Sequence, residues 1–418
     1  MQRLLRFLGL RARPFLRPDW DEERRTLAQI RSRLDQLATV HELASRHASE
    51  LKQLRERADV LANRDVVHLH KGMTELRRAV LGHTQVAARA LRRGDFFDEQ
   101  SAHEQAVQRV VDRALRSGRP VVAGPWTGEI GFELLYWIPF LRKLKTRLRD
   151  VPLNVISRGG SEAWYSGIAA RYQDIFALID PSEFRTETDL ETRKQRSMGH
   201  FDRRLLREAS RALGVERPVI VHPALMYNLL YPYWKDQLPP RRLAEYLEPA
   251  LLGGVSRAHV PTDLPDEYVA ARFYFSQSFP DTPSNRALVS DIVHRVSTRV
   301  PVVILDTPFL VDDHVDAVPA GPSIRSITGL LTPENNLAVQ TAVIRQARAF
   351  VGTYGGFSYL APLYGVPSVT FYSEATFFEQ HLEFARRTFA QVGAAPFVVL
   401  HERERTLVAD LLGATERT

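Results

Sequence analysis

The sequence predicts an α/β protein made of two Rossmann-like, doubly wound domains that follow a long helical N-terminal arm. Two observations predict the domains. Short β-branched runs alternate with helical stretches after residue 117, and those runs are apolar throughout, as in strands buried on both faces of a parallel sheet. The arm is predicted because residues 21–93 contain almost no Pro or Gly and carry a helical apolar stripe. We expect bounds of 1–117 for the arm, 118–258 and 259–402 for the domains, and 403–418 for a closing helix.

The arm repeats an apolar residue every three or four positions, at Leu27, Ile30, Leu34, Leu37, Val40 and Leu43. This spacing is typical of a long amphipathic helix or of a helical hairpin. A coiled coil that makes a homo-oligomer is one interpretation. An arm packed against the rest of its own chain is the other, and the pattern does not separate the two.

The excess positive charge of the chain is concentrated in this arm. Residues 1–120 carry 24 Lys+Arg and 16 Asp+Glu, a net charge of +8, whereas residues 121–418 carry 32 and 33, a net charge of −1. We therefore expect an anionic partner for the arm. Met1–Trp20 fits an interfacial helix on an anionic membrane surface or a frayed basic terminus. Interleaved acidic residues and the absence of aromatic residues from 21–93 disfavour nucleic acid.

The composition excludes several classes of protein. The chain has no cysteine, so it has no disulfide, no thiol nucleophile and no Cys-based zinc site. Its sequence contains neither an apolar run long enough to cross a bilayer nor the pattern of a secretory signal. We expect a cytoplasmic protein, peripheral at the inner face of the membrane if the arm binds there.

In the first domain, strands are expected at Val121–Ala123, Leu153–Ile156 and Val219–His222, with a helix at Phe201–Leu213. Polar and aromatic residues follow the strands at their carboxyl ends, where α/β sheets bind ligands. The candidates for binding an acceptor are Arg158, His222, Tyr227 and Trp234. A hydrogen-bonded structural histidine and aromatic loop packing are the alternative interpretations.

In the second domain, strands are expected at Tyr268–Phe275, Val302–Leu305, Phe350–Thr353 and Ser368–Tyr372. Helices are expected at Arg286–Ser297 and at Asn335–Arg348, the latter capped by Thr332 with Pro333 in its first turn.

The stretch Ala347–Ser373 combines a strand, a Gly-Gly turn, a short helix, a Gly-Val-Pro turn and another strand. Gly355 and Gly356 allow a tight turn, after which the backbone N–H groups of Gly356, Phe357 and Ser358 can face an anion at the helix N-terminus. A diphosphate suits such a site, and a tight turn without a ligand is the alternative. The opposite wall is expected at the end of the strand Tyr268–Phe275, with Arg272 inside the strand and Ser276 and Ser278 after it, since arginine pairs with phosphate oxygens.

This stretch resembles bacterial glycosyltransferases of the GT-B fold, above all the heptosyltransferase-like group of lipopolysaccharide synthesis. The matching residues are Val351, Gly352, Gly356, Leu360, Ala361, Gly365 and Pro367. Tyr354 and Tyr359 stand where the family usually has an acid and a histidine, so the resemblance implies no particular sugar. The resemblance extends upstream to the helix in which Glu334 and Asn335 would contact the ribose or base, and helix capping is the alternative for both.

The family's first domain places an acid after a Gly-rich turn and a proline six residues beyond that acid. Glu133 lies six residues before Pro139 in "AGPWTGEIGFELLYWIPFLR", so the resemblance implies that Glu133 is the catalytic base. Glu129 lies one helical turn earlier, and it could instead complement the helix N-terminus. Apolar neighbours such as Phe132 and Tyr136 are expected to raise the carboxyl pKa.

The resemblance implies transfer of a sugar from a nucleotide-sugar to a cell-envelope glycan or lipid-linked acceptor. It implies no metal or other cofactor beyond the co-substrate, and we expect the loop Asp306–Asp316 to be solvated surface. The sequence leaves open whether the sugar's configuration is inverted or retained. A nucleotide-sugar epimerase or hydrolase of the same fold, and a non-enzymatic assembly scaffold, remain the alternatives.

Overall fold

The computed structural model describes residues 100–404, except 191–194, 236, 255–260, 262, 277, 310–313 and 374–378. The predictions for residues 1–99, for residues 310–313 of the loop Asp306–Asp316, and for nearly all of the closing helix lie outside the described residues. The first described element is a helix over residues 100–117, which we call α1. It shows that residues at the end of the predicted arm are helical.

The first sheet contains four parallel strands in the order β3-β2-β1-β4. The strands are β1 (Val121–Ala123), β2 (Leu153–Ser157), β3 (Arg171–Asp174) and β4 (Val219–Val221). The helices are α2 (Ile130–Leu148), α3 (Pro181–Leu190), α4 (His200–Ala212), α5 (Ala224–Leu230) and α6 (Leu243–Tyr246). Strand β3 was not predicted, because its residues are polar and partly exposed at the sheet edge.

The second sheet has the order β11-β10-β9-β5-β6-β8, and its pairings along this path are parallel. Its strands are β5 (Val269–Phe275), β6 (Val302–Ile304), β8 (Ile324–Ser326), β9 (Ala349–Thr353), β10 (Ser368–Tyr372) and β11 (Phe397–His401). The short strand β7 (Val315–Ala317) pairs antiparallel with β5. The helices are α7 (Pro283–Ser297), α8 (Asn336–Gln346), α9 (Gly356–Leu363) and α10 (Glu379–Val392).

Both sheets contribute one face to a shared core. Val121 and Ala123 of β1 belong to the same apolar cluster as Ala270 of β5, whereas Val122 points to a second cluster on the other face of β1. Successive residues of a strand alternate between faces, so each sheet is covered on both sides. The structure confirms the two parallel sheets of the predicted fold, and the exact domain bounds stay predictions.

Helix α2 changes its hydrogen-bonding pattern in the middle. Ile130–Phe132 is α-helical, Glu133–Trp137 forms a π-helical segment, and Ile138–Leu148 is α-helical again. Within it the N–H of Ile138 donates to the carbonyl of Glu133, five residues back. Because Pro139 has no N–H, its helix cannot continue the ordinary ladder at that position.

Two helix starts differ from the prediction. Helix α7 begins three residues early, at Pro283, because the Thr282 hydroxyl accepts a hydrogen bond of 3.1 Å from the N–H of Asn285. Helix α8 begins at Asn336, so Thr332 is not its N-cap. Instead, Thr332 donates its N–H to Oδ1 of Asn335 at 2.7 Å, which closes the turn before the helix.

Candidate active site

A cavity of about 190 Å³ lies between the carboxyl ends of the two parallel sheets. It is reached by the segments that follow β1, β5, β9 and β10, in agreement with the rule that α/β sheets bind ligands at these ends. Its lining residues are Glu129, Ile130, Gly131, Phe132, Leu135, Arg272, Tyr274, Ser276, Ser278, His314, Tyr354, Gly355, Gly356, Phe357, Tyr359 and His381.

The two motifs singled out in the sequence contact each other at this cavity. A Cβ atom added to Gly356 would lie 2.8 Å from Cβ of Ile130 and 3.0 Å from the backbone nitrogen of Gly131. A Cβ atom added to Gly131 would lie 3.2 Å from the ring of Tyr359. Glycine at both positions therefore allows the start of α2 and the start of α9 to approach at backbone distance.

The structure reverses the order of the two candidate carboxylates. Glu129 is exposed, has extended backbone angles just before α2, and lines the cavity. Glu133 has no exposed surface and does not line the cavity. The structure therefore places Glu129 at the cavity and buries Glu133 away from it, and the role of either carboxylate as a base stays a prediction.

Glu133 instead belongs to a buried hydrogen-bond network. Its Oε1 accepts from the Ser157 hydroxyl at 2.6 Å and from the Tyr165 hydroxyl, while Oε2 has no partner among the described residues. Burial raises the pKa of Glu133 to about 7, even though the two hydroxyls and the charge of Arg158 lower it. Burial disfavours the charged form of a carboxyl. The predicted direction of the shift is therefore correct, but it occurs away from the cavity.

Arg272 lines the cavity from β5 and is only 8% exposed. Its Nε lies 3.3 Å from Oδ1 of Asp316, and its Nη1 donates to Oε1 of Gln340 at 2.7 Å. Its guanidinium carbon lies 4.3 Å from the ring centre of Phe357. Two acceptors and an aromatic face thus hold the cation in place at the cavity wall, as a binding site for an anion requires.

Asp316 shows that the loop Asp306–Asp316 is not simply solvated surface, contrary to the sequence interpretation. Its carboxylate contacts Arg272 and also accepts a hydrogen bond of 3.0 Å from the N–H of Thr307. His314 lines the cavity and stacks on Tyr274 with ring centres 4.3 Å apart. Asp306 accepts from the hydroxyls of Ser326 and Thr328.

The turn after β9 places Gly355, Gly356 and Phe357 on the cavity. Of the three predicted anion donors, Ser358 is engaged within the turn, because its N–H donates to the Gly355 carbonyl at 3.0 Å. Its hydroxyl also accepts from the N–H of Gly355 at 3.1 Å. The N–H groups of Gly356 and Phe357 have no backbone acceptor within the described part of the chain, as expected of the first helical turn.

Tyrosines form the inner wall of the cavity, where the family resemblance leads one to expect an acid and a histidine. The Tyr359 hydroxyl donates to the Tyr354 hydroxyl at 2.6 Å, and burial raises the pKa of Tyr354 to about 12. The hydroxyl of Tyr274 occupies the space that a side chain on Gly355 would need. The three tyrosines and Arg272 line the same cavity, so its wall combines neutral hydroxyl groups with a cation.

His381 at the start of α10 completes the wall and was not identified from the sequence. Its Nδ1 lies 2.7 Å from the Tyr136 hydroxyl, and its ring meets Phe132 edge-on with centres 4.6 Å apart. Only the fold brings His381 and His314 to this cavity, because they lie 67 residues apart and neither belongs to a recognisable motif. Their position after strands of the second sheet was the one available signal.

The four predicted acceptor residues do not line the cavity. Arg158 is buried and donates from Nη2 to the carbonyl of Gly128 at 2.7 Å, which holds the loop that carries Glu129. His222 is buried with Nε2 3.1 Å from Asp202, while its Nδ1 accepts from the N–H of Ala224. The structural interpretation therefore fits His222.

Tyr227 and Trp234 pack in an aromatic cluster beneath α2. Tyr227 is 1% exposed and stacks on Trp126 with ring centres 5.9 Å apart. Trp234 meets Phe132 and Tyr136 edge-on at 5.3 and 5.4 Å. The alternative of loop packing thus describes both residues.

Glu334 and Asn335 lie where the two halves meet, outside the cavity lining. The carbonyl of Gly159 accepts from the N–H of Leu337 at 2.6 Å, so the N-terminus of α8 rests on the loop after β2. The backbone of Glu334 and Asn335 leaves no room for a side chain on Gly160. Asn335 closes the turn before α8 by accepting a hydrogen bond from the N–H of Thr332. This contact fits the alternative interpretation of Asn335 as a capping residue.

The described residues contain no group of three His, Asp or Glu side chains that could hold a metal ion. None of the described helices is long and apolar enough to span a membrane.

Comparison with known sequences finds no protein-family model and no curated protein that matches this chain. Comparison with solved structures finds similarity to ADP-heptose LPS heptosyltransferase II of E. coli, with 12% identity and a TM-score of 0.38, over 71% of this chain and 99% of the other. A glycosyl transferase family 9 protein of Veillonella parvula has 12% identity and a TM-score of 0.34, over 72% and 89%. UDP-GlcNAc 2-epimerase of Methanocaldococcus jannaschii has 11% identity and a TM-score of 0.30, over 71% and 91%. Similarities this low leave the question of function to the geometry of the site.

Proposed function

We propose that this chain is a glycosyltransferase that moves a sugar from a nucleotide-sugar to a cell-envelope glycan or lipid-linked acceptor. The observation that carries the proposal is one cavity on which an exposed carboxylate, a held arginine and a helix N-terminus converge. These groups are Glu129, Arg272 and the turn Gly355–Phe357. They lie at the carboxyl ends of two parallel sheets, where nucleotide ligands bind in α/β proteins.

In this proposal Glu129 is the general base. Its carboxylate takes the proton of the acceptor hydroxyl while the hydroxyl oxygen attacks the anomeric carbon of the donor sugar. The bond between that carbon and the diphosphate oxygen breaks, and the nucleoside diphosphate leaves with its negative charge. Glu133 then has a structural role, since it has no exposed surface.

Arg272 and the start of α9 stabilise the leaving diphosphate. The guanidinium is fixed by Asp316 and Gln340 before any ligand arrives, so little reorganisation is needed when charge develops. The N–H groups of Gly356 and Phe357 add partial positive charge at the N-terminus of the helix. The hydroxyls of Ser276 and Ser278, 3.0 Å apart, supply further donors on the same wall.

The cavity of about 190 Å³ is smaller than the roughly 300–1,000 Å³ of sites that enclose drug-sized ligands. We infer that the diphosphate and sugar occupy this volume and that the nucleoside needs more room. Ile130–Gly131 and Gly356 are in contact at the cavity wall, and we infer that the starts of α2 and α9 move apart when the donor binds. Closure of two halves around a ligand is a common motion in two-domain enzymes.

The test is a thermal-shift screen of the full-length chain with ADP, UDP, GDP and CDP and with their sugar derivatives. A ligand at one hundred times its Kd stabilises the native state by about 2.7 kcal/mol and raises Tm. We expect one nucleoside diphosphate to raise Tm of the wild type and of Arg286→Lys, an exposed arginine that pairs with Asp281. Arg272→Lys should reduce the shift, because an ammonium lacks the planar donor fork.

Two results would decide against the proposal. If no nucleoside diphosphate raises Tm of any variant, the chain has no donor site and the scaffold alternative gains. If a nucleotide-sugar is converted to an epimer or to free nucleoside diphosphate without any acceptor, the epimerase or hydrolase alternative replaces the transferase.

A further inference from the structure

A basic groove lies on the outer side of the first sheet, between α4 and the edge strand β4. It has a volume of about 440 Å³ and shares no lining residue with the cavity described above. Its lining residues are Arg203, Leu206, Arg207, Ser210, Arg211, Val215, Arg217, Pro218 and Ile220. We call this the arginine groove. Among the described residues, every charged side chain that lines it is an arginine.

The helix geometry explains why the arginines form a line. Arg203, Arg207 and Arg211 follow one another at four-residue spacing on α4, so they share one face over about 12 Å. The opposite face of α4 is buried in the core through residues such as Leu205 and Ala209. Arg217, in the turn before β4, extends the line, and Arg119 joins it through a hydrogen bond of 3.2 Å to the Arg217 carbonyl.

The charge of the groove is not compensated within the described part of the chain. Arg203, Arg207, Arg211 and Arg217 are exposed, and no acidic side chain there pairs with any of them. Arg204, one position along the same helix, pairs with Glu183 at 2.6 Å and does not line the groove. Four like charges in one groove repel each other and attract a counter-charge, so the feature points to an anionic partner.

The floor of the groove indicates which anion it fits. Leu206, Val215, Pro218 and Ile220 form an aliphatic surface between the arginines, and no aromatic ring of the described residues lines the groove. Sites for single-stranded nucleic acid combine basic residues with aromatic rings on which bases stack, so this pattern does not favour a single strand. Arginines that surround an aliphatic surface suit the boundary between lipid phosphates and acyl chains.

The chain's own N-terminal segment is a poor occupant on grounds of charge. Residues 1–99 carry 20 Lys+Arg and 14 Asp+Glu, a net charge of +6, so the groove and that segment have the same sign. We propose that the arginine groove docks on the phosphate layer of a membrane that contains anionic phospholipid, independently of the sugar chemistry. The guanidinium groups pair with lipid phosphates through two N–H donors each.

The test is flotation of the full-length chain with vesicles of phosphatidylcholine alone or mixed with phosphatidylglycerol. The triple variant Arg203→Gln, Arg207→Gln, Arg211→Gln should bind the anionic vesicles about 100-fold more weakly, given the usual contribution of each basic residue at such a surface. The matched control is Arg345→Gln, Arg348→Gln, Arg387→Gln, which removes the same charge from exposed positions in the other half of the chain. It should bind within about twofold of the wild type.

Several outcomes would overturn the proposal. Equal losses in both triple variants would mean that net charge alone attracts the chain to the vesicles. Unchanged binding of the groove variant would mean that other residues carry any membrane binding. A groove variant that loses affinity for an oligonucleotide but keeps its affinity for vesicles would assign the groove to nucleic acid. If the triple variant does not fold, Arg207→Gln alone should still weaken vesicle binding about fivefold.

Discussion

The substitution Glu133→Gln tests whether burial raises the pKa of Glu133 in the native state. Glu133 is fully buried, and its pKa rises from 4.5 to about 7 because burial disfavours its charged form. At about 1.36 kcal/mol per pKa unit, the native state then loses about 3 kcal/mol of stability when Glu133 must ionise. The stability that the protonated carboxyl of Glu133 provides is fully present below pH 4.5, and it is lost as the pH rises through 7.

Glutamine is a close mimic of the protonated carboxyl at this position. Its amide oxygen can still accept from Ser157 and Tyr165, as Oε1 of Glu133 does. Its amide nitrogen takes the place of Oε2, which has no partner among the described residues. The neutral acid leaves one O–H unpaired and the amide two N–H groups, so the variant should be at most about 1 kcal/mol less stable than the wild type near pH 4.5.

The assay is urea unfolding followed by tryptophan fluorescence at several pH values between 4.5 and 8.5. We expect the Glu133→Gln variant to gain stability over the wild type as the pH rises, up to about 3 kcal/mol above pH 7. The control Glu162→Gln, at an exposed position, should stay within about 0.5 kcal/mol of the wild type. A Glu133→Gln variant that is destabilised equally at all pH values would refute this reasoning.

Three further outcomes follow from the geometry of the site. Gly355→Ala should lower the free energy of unfolding by about 1–3 kcal/mol, because its methyl group would overlap the Tyr274 hydroxyl. The control Gly329→Ala should be tolerated, because a methyl group there meets no atom within 4 Å. Urea unfolding of the two variants compares their stabilities. Asp316→Asn should both destabilise the chain and weaken nucleoside diphosphate binding by calorimetry, because it removes the ion pair that holds Arg272. Arg158→Gln should slow turnover more than it weakens donor binding, because it frees the Gly128 carbonyl and with it the loop of Glu129; equal changes in kcat and KM would contradict this positioning role.

The sequence predicts the buried strands well and the exposed strands poorly. Val121–Ala123 and Val269–Phe275 are continuous apolar runs, and a run of this kind has few alternatives to a buried parallel strand. Strands β3, β7 and β8 contain polar or partly exposed residues at sheet edges. Their pairing depends on neighbouring strands, which no local pattern records.

The choice between the two carboxylates could not be made from residue spacing. The spacing from acid to proline matches the resemblance at Glu133, but the face that a residue presents depends on the helix type. The π-helical segment Glu133–Trp137 inserts an extra residue per turn, and Glu129 precedes the helix altogether. Only the packed structure shows that one carboxylate faces the cavity and the other faces the core.

The turn at Gly355–Ser358 was easier to predict, because its backbone geometry depends on local sequence. Gly356 lets the starts of α2 and α9 approach each other, and Gly355 leaves room for the Tyr274 hydroxyl. The helix after them follows from the chain's own sequence. Contacts between distant segments bring His314 and His381 to the cavity and place Asp316 beside Arg272. Such contacts leave no periodic signal in a single sequence.

The most direct test of the central claim is single-turnover sugar transfer by Glu129→Gln and by Glu133→Gln, with the nucleotide-sugar identified in the thermal-shift screen. A general base contributes about 10²–10⁴-fold to the rate. We predict that Glu129→Gln binds the donor as the wild type does and transfers sugar at least about 100-fold more slowly, while Glu133→Gln keeps a rate within about tenfold of the wild type. The opposite order, with Glu133→Gln inactive and Glu129→Gln fully active, would contradict the assignment of the cavity carboxylate as the base.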